Sequence, residues 1–200
     1  MALILSGDGT VTGLAVGGLP DGTVDAGTLA TNSVDSAELV DGSIDTAHIG
    51  TDQITSAILP AGSVLQVVHD GNKVSTTINS TSWSVFSSYM TKTMTPRSAS
   101  SKFLLQYNVG FEIQPNSGIA FKFTRTVGGV ETDLFVPSAG YEIWSNGSDH
   151  NLRATDQYLD SPNTTSAVTY KVYVRGYNTT AVVISGGHYR SNITYMEIAG

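Results

Sequence analysis

Large aliphatic residues recur at five-residue intervals through the first third of the chain, at Val24, Leu29, Val34, Leu39, Ile44, Ile49, Ile54 and Leu59. Aligned in tens, residues 22–29, 32–39, 42–49 and 52–59 read GTVDAGTL, NSVDSAEL, GSIDTAHI and DQITSAIL. Their sixth position is small throughout: Gly27, Ala37, Ala47 and Ala57. A period of five fits neither the 3.6-residue turn of an α-helix nor the two-residue alternation of a strand, and it does not fill heptad positions on schedule. Fixed-period self-similarity marks instead an extended architecture of repeated units. One buried aliphatic contributes roughly 1.5–3 kcal/mol, while ordering five backbone residues costs about 5–10 kcal/mol. A single copy of this segment therefore cannot fold alone. Either it is disordered, as its low hydrophobicity and uniform negative charge allow, or several copies wind together and share the aliphatic stripe. The strict spacing, which a linker does not need, favours an intertwined stalk with Asp, Ser and Thr facing water.

After Leu59-Pro60-Ala61-Gly62 the period changes. KFLLQYNVGFEI places Phe103, Leu105, Tyr107, Val109, Phe111 and Ile113 on one face of a strand. Lys102, Gln106, Asn108 and Glu112 take the other. GIAFKFTRTV sets Ile119, Phe121 and Phe123 against Lys122 and Thr124, and VTYKVYVRGY sets Val168, Tyr170, Val172 and Val174 against Thr169, Lys171, Tyr173 and Arg175. Further strands are expected near 63–69, 73–79, 130–136, 152–159, 181–185 and 191–198, separated by turn signals such as Pro115-Asn116-Ser117-Gly118 and Gly128-Gly129. No segment carries a helical stripe. The expected fold is all-β: an extended, intertwined repeat stalk followed by a jelly-roll-like antiparallel β-sandwich. Three regions follow, namely an N-terminal anchor segment at 1–20, a stalk at 21–60 and a β-sandwich knob at 61–200.

Charge and aromatic content divide at nearly the same point. Residues 1–72 hold nine acids and neither Lys nor Arg, and Trp83 is the first aromatic residue. The net charge of −7 argues against a nucleic-acid partner, which requires a basic face to neutralise phosphates. No apolar run is long enough to span a membrane, and the start MALILSGDGT is a poor secretory signal. The absence of cysteine excludes disulfides, thiol nucleophiles and Cys-ligated metals.

The chemistry that remains is thin. His48, His69, His150 and His188 are scattered without metal-ligand spacing, and DGTVD and DGSID lack the full calcium-loop pattern. No metal site and no cofactor is expected. Glu131 with Asp133, and Asp156 with Asp160, are the carboxylate pairs that a glycosidase would need, but acids so spaced on a strand share a solvent face. No enzyme activity is expected. Binding is better supported. Tyr141, Trp144, Tyr173, Tyr177 and Tyr189 are aromatics at loops or on polar-alternating faces, of the kind that stack on sugars. The loop YEIWSNGSDHN offers Tyr141, Trp144, Asn146, Asp149, His150 and Asn151 as ligand-binding candidates. The competing reading is that Tyr141 and Trp144 close the sandwich core or a subunit interface.

Several stretches resemble fibre and appendage proteins of tailed bacteriophages, particularly phages of marine and freshwater bacteria. DGSIDTAHIGTDQIT resembles their repeats; LPAGSVLQVVHDG and TMTPRSASSKFLLQYNVGF resemble the entry to their β-domain; YLDSPNTTSAVTYKVYVRG and SNITYMEIAG resemble its later strands and ending. The resemblance implies a homotrimeric virion protein, made in the host cytoplasm. Its stalk core would be the eight aliphatics from Val24 to Leu59. Residues 1–20, with Leu3, Ile4 and Leu5, would dock on another virion protein of the tail, portal region or capsid. The knob would bind a host-surface glycan or protein. A looser, architectural resemblance is to the trimeric jelly-roll heads of complement and tumour-necrosis-factor-like ligands. Two other functions stay open at this point: a head fibre or capsid decoration that stabilises the shell, and a glycan-cleaving depolymerase.

Overall fold

The computed structural model describes residues 4–5, 11–12, 24, 27, 29–31, 33–34, 39–51, 53–55, 57–73, 76–138, 141–180, 182–184 and 190–200, with 4–5, 11–12 and 183–184 as backbone only. The chain divides into two compact units, Met1–Gln53 and Ile54–Gly200.

In the first unit, β1 (Ile4–Leu5) and β2 (Val11–Thr12) pair antiparallel, Ile4 opposite Thr12 and Leu5 opposite Val11. Leu3 lies outside the described residues. The repeat that follows is a succession of tight turns. Ala30, Val40, Asp45 and Gly50 each accept a hydrogen bond at their carbonyl from the N–H three residues on, at 2.9–3.2 Å. The same turn recurs in the second unit at Thr55 and Pro60. From Val40 to Pro60 there is thus one turn every five residues, each preceded by one aliphatic. The small residue noted in the sequence is the third residue of its turn, Ala47 in 45–48 and Ala57 in 55–58. Gly42 and Gly62 occupy the equivalent place in 40–43 and 60–63 at φ 80° and 90°, which a type II turn needs and other residues resist. The Asp45 carboxylate closes its own turn by accepting from the Ala47 N–H at 2.8 Å and meeting the His48 ring at 2.9 Å. The described aliphatics of the ladder's first unit form no buried core: Val24, Leu29, Val34, Leu39, Ile44 and Ile49 are all 40–52% exposed.

The second unit is a two-layer antiparallel sandwich. Its strands are β3 (Val64–Lys73), β4 (Thr76–Ile78), β5 (Ser84–Val85), β6 (Thr91–Met94), β7 (Lys102–Ile113), β8 (Ser117–Val127), β9 (Val130–Phe135), β10 (Ile143–Ser145), β11 (His150–Asp160), β12 (Val168–Gly176), β13 (Val182–Ile184) and β14 (Arg190–Ile198). A single 3₁₀ turn, Ser88–Met90, precedes β6. β5 with β6 run along one edge of β12, β9 with β10 along one edge of β8 and β13 with β14 along one edge of β7, while β3 and β4 pair with β14 and β13, so the twelve strands from β3 onward make eight lanes. The first sheet runs β3/β4, β14/β13, β7, β11; the second runs β6/β5, β12, β8, β9/β10. In chain order of the lanes this is 1-8-3-6 facing 2-7-4-5, the double Greek key of a jelly roll. The all-β, jelly-roll-like sandwich expected from alternation is the fold observed.

Alternation explains the core directly. All six apolar residues named on β7 are buried, as are Ile119, Phe121 and Phe123 of β8, Val168, Tyr170, Val172 and Val174 of β12, and Ile193 and Tyr195 of β14. Their rings interlock at 5.2–5.6 Å across the layers, Phe103 with Tyr170, Tyr107 with Phe121 and Phe123, and Tyr170 with Tyr195. Each such side chain contributes roughly 1.5–3 kcal/mol of burial. Two carboxylates that enter the core are paired. Asp160 accepts from Arg125 Nη1 and from the Tyr170 hydroxyl, both at 2.8 Å. The buried carboxylate of Glu197 accepts from Gln66 Nε2 and from the Arg97 N–H. β8 departs from the sequence reading. Its outer face is buried too, including Lys122 and Thr124, because a central strand is covered by side chains arriving from both neighbouring lanes.

Candidate functional site

The aromatics form two clusters on the outer face of the second sheet. At one end, β10 pairs with the start of β8 so that Trp144 stands opposite Gly118. On the other edge of β8, β12 ends at Gly176 opposite Ile119, and the next residue, Tyr177, donates its N–H to the Gly118 carbonyl at 2.8 Å. The row across the sheet is therefore Trp144, Gly118, Tyr177. Glycine leaves the middle of the row empty, and the two rings close over it at 5.1 Å, edge to face. A Cβ at position 118 would lie 3.0 Å from both Trp144 Cε3 and Tyr177 Cβ, so the backbone itself is the floor of the cluster. Tyr141 completes the triad, 5.6 Å from Trp144 and 5.2 Å from Tyr177. Asn178 fixes the adjoining turn by donating from Nδ2 to the Asn116 carbonyl at 2.8 Å. Trp144 remains 38% and Tyr177 48% exposed. The triad lines the outer face of the sheet rather than the sandwich core.

The polar residues of the same loop take other places. Asn146 and Asp149 lie exposed in the bend that carries the chain from the second sheet to the first, closed by Ser145 Oγ on the Ser148 carbonyl at 2.5 Å. His150 and Asn151 open β11 in the first sheet, opposite Ile113 and Glu112. Among the described residues no hydrogen bond or ring contact links these four to the triad. Of its six candidates, the loop thus contributes two members, Tyr141 and Trp144, to the cluster. Tyr177, well beyond the loop's end at Asn151, supplies the third. Tyr189 lies outside the described residues.

Behind the triad, Glu142 turns inward between the sheets. Its carboxylate accepts from the Tyr107 hydroxyl at 3.0 Å through both oxygens, and its N–H donates to the Ile119 carbonyl. Burial raises the Glu142 carboxyl above the ordinary range; the Tyr107 hydroxyl works against that shift and the charge of Asp156 adds to it. Burial and the facing carboxylate likewise push the Tyr107 phenol up.

The second cluster surrounds Tyr173. Lys122 Nζ sits 5.2 Å from the Tyr173 ring and 5.1 Å from Trp83, and the Arg175 guanidinium lies 4.6 Å from Trp83. Lys122 also donates to Asp133 at 2.6 Å. Glu131 accepts from Thr124, Lys171 and Tyr173 at 2.6–3.3 Å. Partial burial raises the Glu131 carboxyl, but those three donors outweigh it and hold it below the ordinary value. Three of the four carboxylates weighed for glycoside cleavage are held in such contacts: Glu131 and Asp133 in this surface lattice, Asp160 with Arg125 and Tyr170 in the interior.

No group of three or more His, Asp or Glu side chains converges among the described residues, and among them no helix is long and apolar enough to cross a membrane. Two concavities sit together at the base of the sandwich. One, of about 390 Å³, is lined by Leu59, Leu65, Arg97 and Ala199; the other, of about 690 Å³, by Lys102, Leu159, Asn163 and Ile198.

No family model matches the chain, and no curated protein matches it either. Among solved structures it is similar to the VP2 subviral particle of infectious bursal disease virus, with 10% identity over 66% of this chain and a TM-score of 0.40. It is similar also to the Gx strain of that virus (10% identity, 67% of this chain, TM-score 0.39) and to its T=1 particles (11%, 76%, 0.36). This chain spans 39%, 37% and 40% of those chains respectively.

Proposed function

We propose that this protein is a trimeric structural component of a bacteriophage virion, a short fibre or spike attached through residues 1–20 and presenting the jelly roll for host-surface attachment. The observation that carries the reading is the turn ladder: one half-exposed aliphatic per five-residue turn among the described residues. Such a segment gains a core from further copies of itself. The resemblance of its repeats to phage appendage proteins gives that assembly its setting. The attachment surface is the Tyr141, Trp144 and Tyr177 triad. Three rigid rings with two exposed faces and a glycine floor suit stacking on a saccharide ring, and stacking loses little conformational entropy. Asn146 and Asp149 flank it in the adjoining bend and supply hydrogen-bonding groups within the same loop.

Cryo-electron microscopy of the intact particle tests the reading. Density at the tail with the triad pointing outward supports attachment. Density seated between shell subunits replaces attachment by shell stabilisation, and absence from the particle overturns the virion assignment. The triad is tested separately with the full chain. Trp144→Ala and Tyr177→Ala are expected to abolish adhesion to host cells while the thermal transition stays within a few degrees of wild type; retained adhesion removes the triad from the receptor site.

A further inference from the structure

The outer face of the first sheet is polar at one end and apolar at the other. Opposed residues in neighbouring strands point to the same face, so the registers define rows across the sheet. Gly71, Asn192, Asn108 and Thr155 form one row, and His69, Thr194, Gln106 and Gln157 form the next. These polar rows satisfy themselves, His69 with Thr194 at 2.8 Å and Gln106 with Gln157 at 3.1 Å. The following row is Val67, Met196, Leu104 and Leu159, aliphatic or thioether from edge to edge. Beyond it, Val64 and Ile198 stand opposite one another beside Lys102. Val64, Val67 and Leu159 are all more than half exposed. An uninterrupted row of apolar side chains across four lanes, facing outward, is not what a solvated sheet face needs.

The five-residue series says what covers it. Counting on from Leu59, the next member is position 64, and Val64 is the first residue of β3. Val64 is 54% exposed, in line with the 40–52% of the ladder aliphatics that precede it. Within the second unit the last turn of the ladder is built into the sheet: Gly62 donates to the Ala199 carbonyl and Ala199 to the Ser63 carbonyl, both at 2.8 Å. The series therefore runs without a break in phase onto the apolar end of the sheet face.

We propose that the face formed by Val64, Val67, Leu104, Leu159, Met196 and Ile198 is a self-association surface that packs against a second copy of this chain, in sequence phase with the aliphatic series that ends at Val64. The proposal rests on the trimer reading given above and names the surface through which the knobs take part in it. Size is consistent with a joint seam. A stable interface buries about 800 Å² on each partner, to which the patch contributes together with the aliphatic series.

Thiol protection tests this in the full chain, which has no cysteine of its own. Val67→Cys and Leu159→Cys are labelled with maleimide beside Thr155→Cys, on the polar end of the same face. Under assembly conditions the two patch thiols are expected to react about tenfold more slowly than position 155. The protection should disappear when Val34, Leu39, Ile44 and Ile49 are replaced by Ser. In sedimentation, Val67→Glu with Leu159→Glu is expected to loosen the oligomer, with Thr155→Glu without effect. If the wild type is trimeric but its patch thiols react as fast as position 155, and the glutamates leave it trimeric, the surface is overturned while the stalk reading stands. A monomeric wild type overturns both.

Discussion

Gly118 decides what the aromatic triad can be. Any Cβ there meets Trp144, Tyr177 and the Ile143 carbonyl at 3.0–3.2 Å, and the carbonyl cannot move without breaking the β8–β10 pairing. Gly118→Ala is expected to lift the Trp144 ring into water and to cost about 1–3 kcal/mol, visible as a red-shifted tryptophan emission and a lower urea midpoint. Glu142, one residue from Tyr141, supplies a pH signature. Its carboxyl titrates higher in the folded chain than in the unfolded one, so the folded state holds its proton longer, and stability is lost as pH rises through the interval above the ordinary carboxylate value. Glu142→Gln is expected to flatten the melting temperature against pH over that interval. An unchanged profile would mean that Glu142 does not set it.

The long strands show which elements a sequence exposes and which it hides. β7 and β12 are legible because one face of each is buried and the other is not, so their alternation is written in the residues. β8 is half legible. Its inner residues read as a strand, but Lys122 and Thr124 read as solvent-facing, since Trp83 and Tyr173, which cover Lys122, come from distant segments, and the Asp133 and Glu131 contacts depend on the register of the returning strand β9. β5, β6 and β10 carry two to four residues each and leave no period to detect. The triad was legible to the same degree. Tyr141 and Trp144 lie in one loop, while Tyr177 joins them only because β10 and β12 flank the same strand. Asp160 illustrates the hidden side of β11: spaced from Asp156 like a surface acid, it closes the core with Arg125 and Tyr170. Asp160→Asn leaves that guanidinium without its counter-charge. The expected loss is about 3 kcal/mol, the low end for a buried pair because Arg125 keeps some contact with water. Chemical denaturation measures it, and a loss within experimental scatter would make the pair dispensable.

At the scale of the whole molecule, stability and assembly come from different parts of the chain. The jelly roll has a closed core of its own; the ladder has turns but, among the described aliphatics of its first unit, no buried core. Replacing Val34, Leu39, Ile44 and Ile49 by Ser is accordingly expected to abolish or loosen the oligomer in sedimentation while the near-ultraviolet circular dichroism of the sandwich persists. A variant that stays assembled with unchanged melting would mean that the stripe is not the shared core. The ten-residue repeat was plain in the sequence, but its structural unit is half as long: a turn opens at positions 40, 45, 50, 55 and 60. That halving has a genetic consequence. A gene segment encoding such a ladder can gain or lose fifteen nucleotides, adding or removing one turn and one aliphatic, and every remaining contact within a turn is kept. An insertion that is not a multiple of fifteen nucleotides moves Val64 out of step with the aliphatics before it. Reach is thus a quantity that replication errors can adjust in discrete increments, with the knob and its rings carried along unaltered.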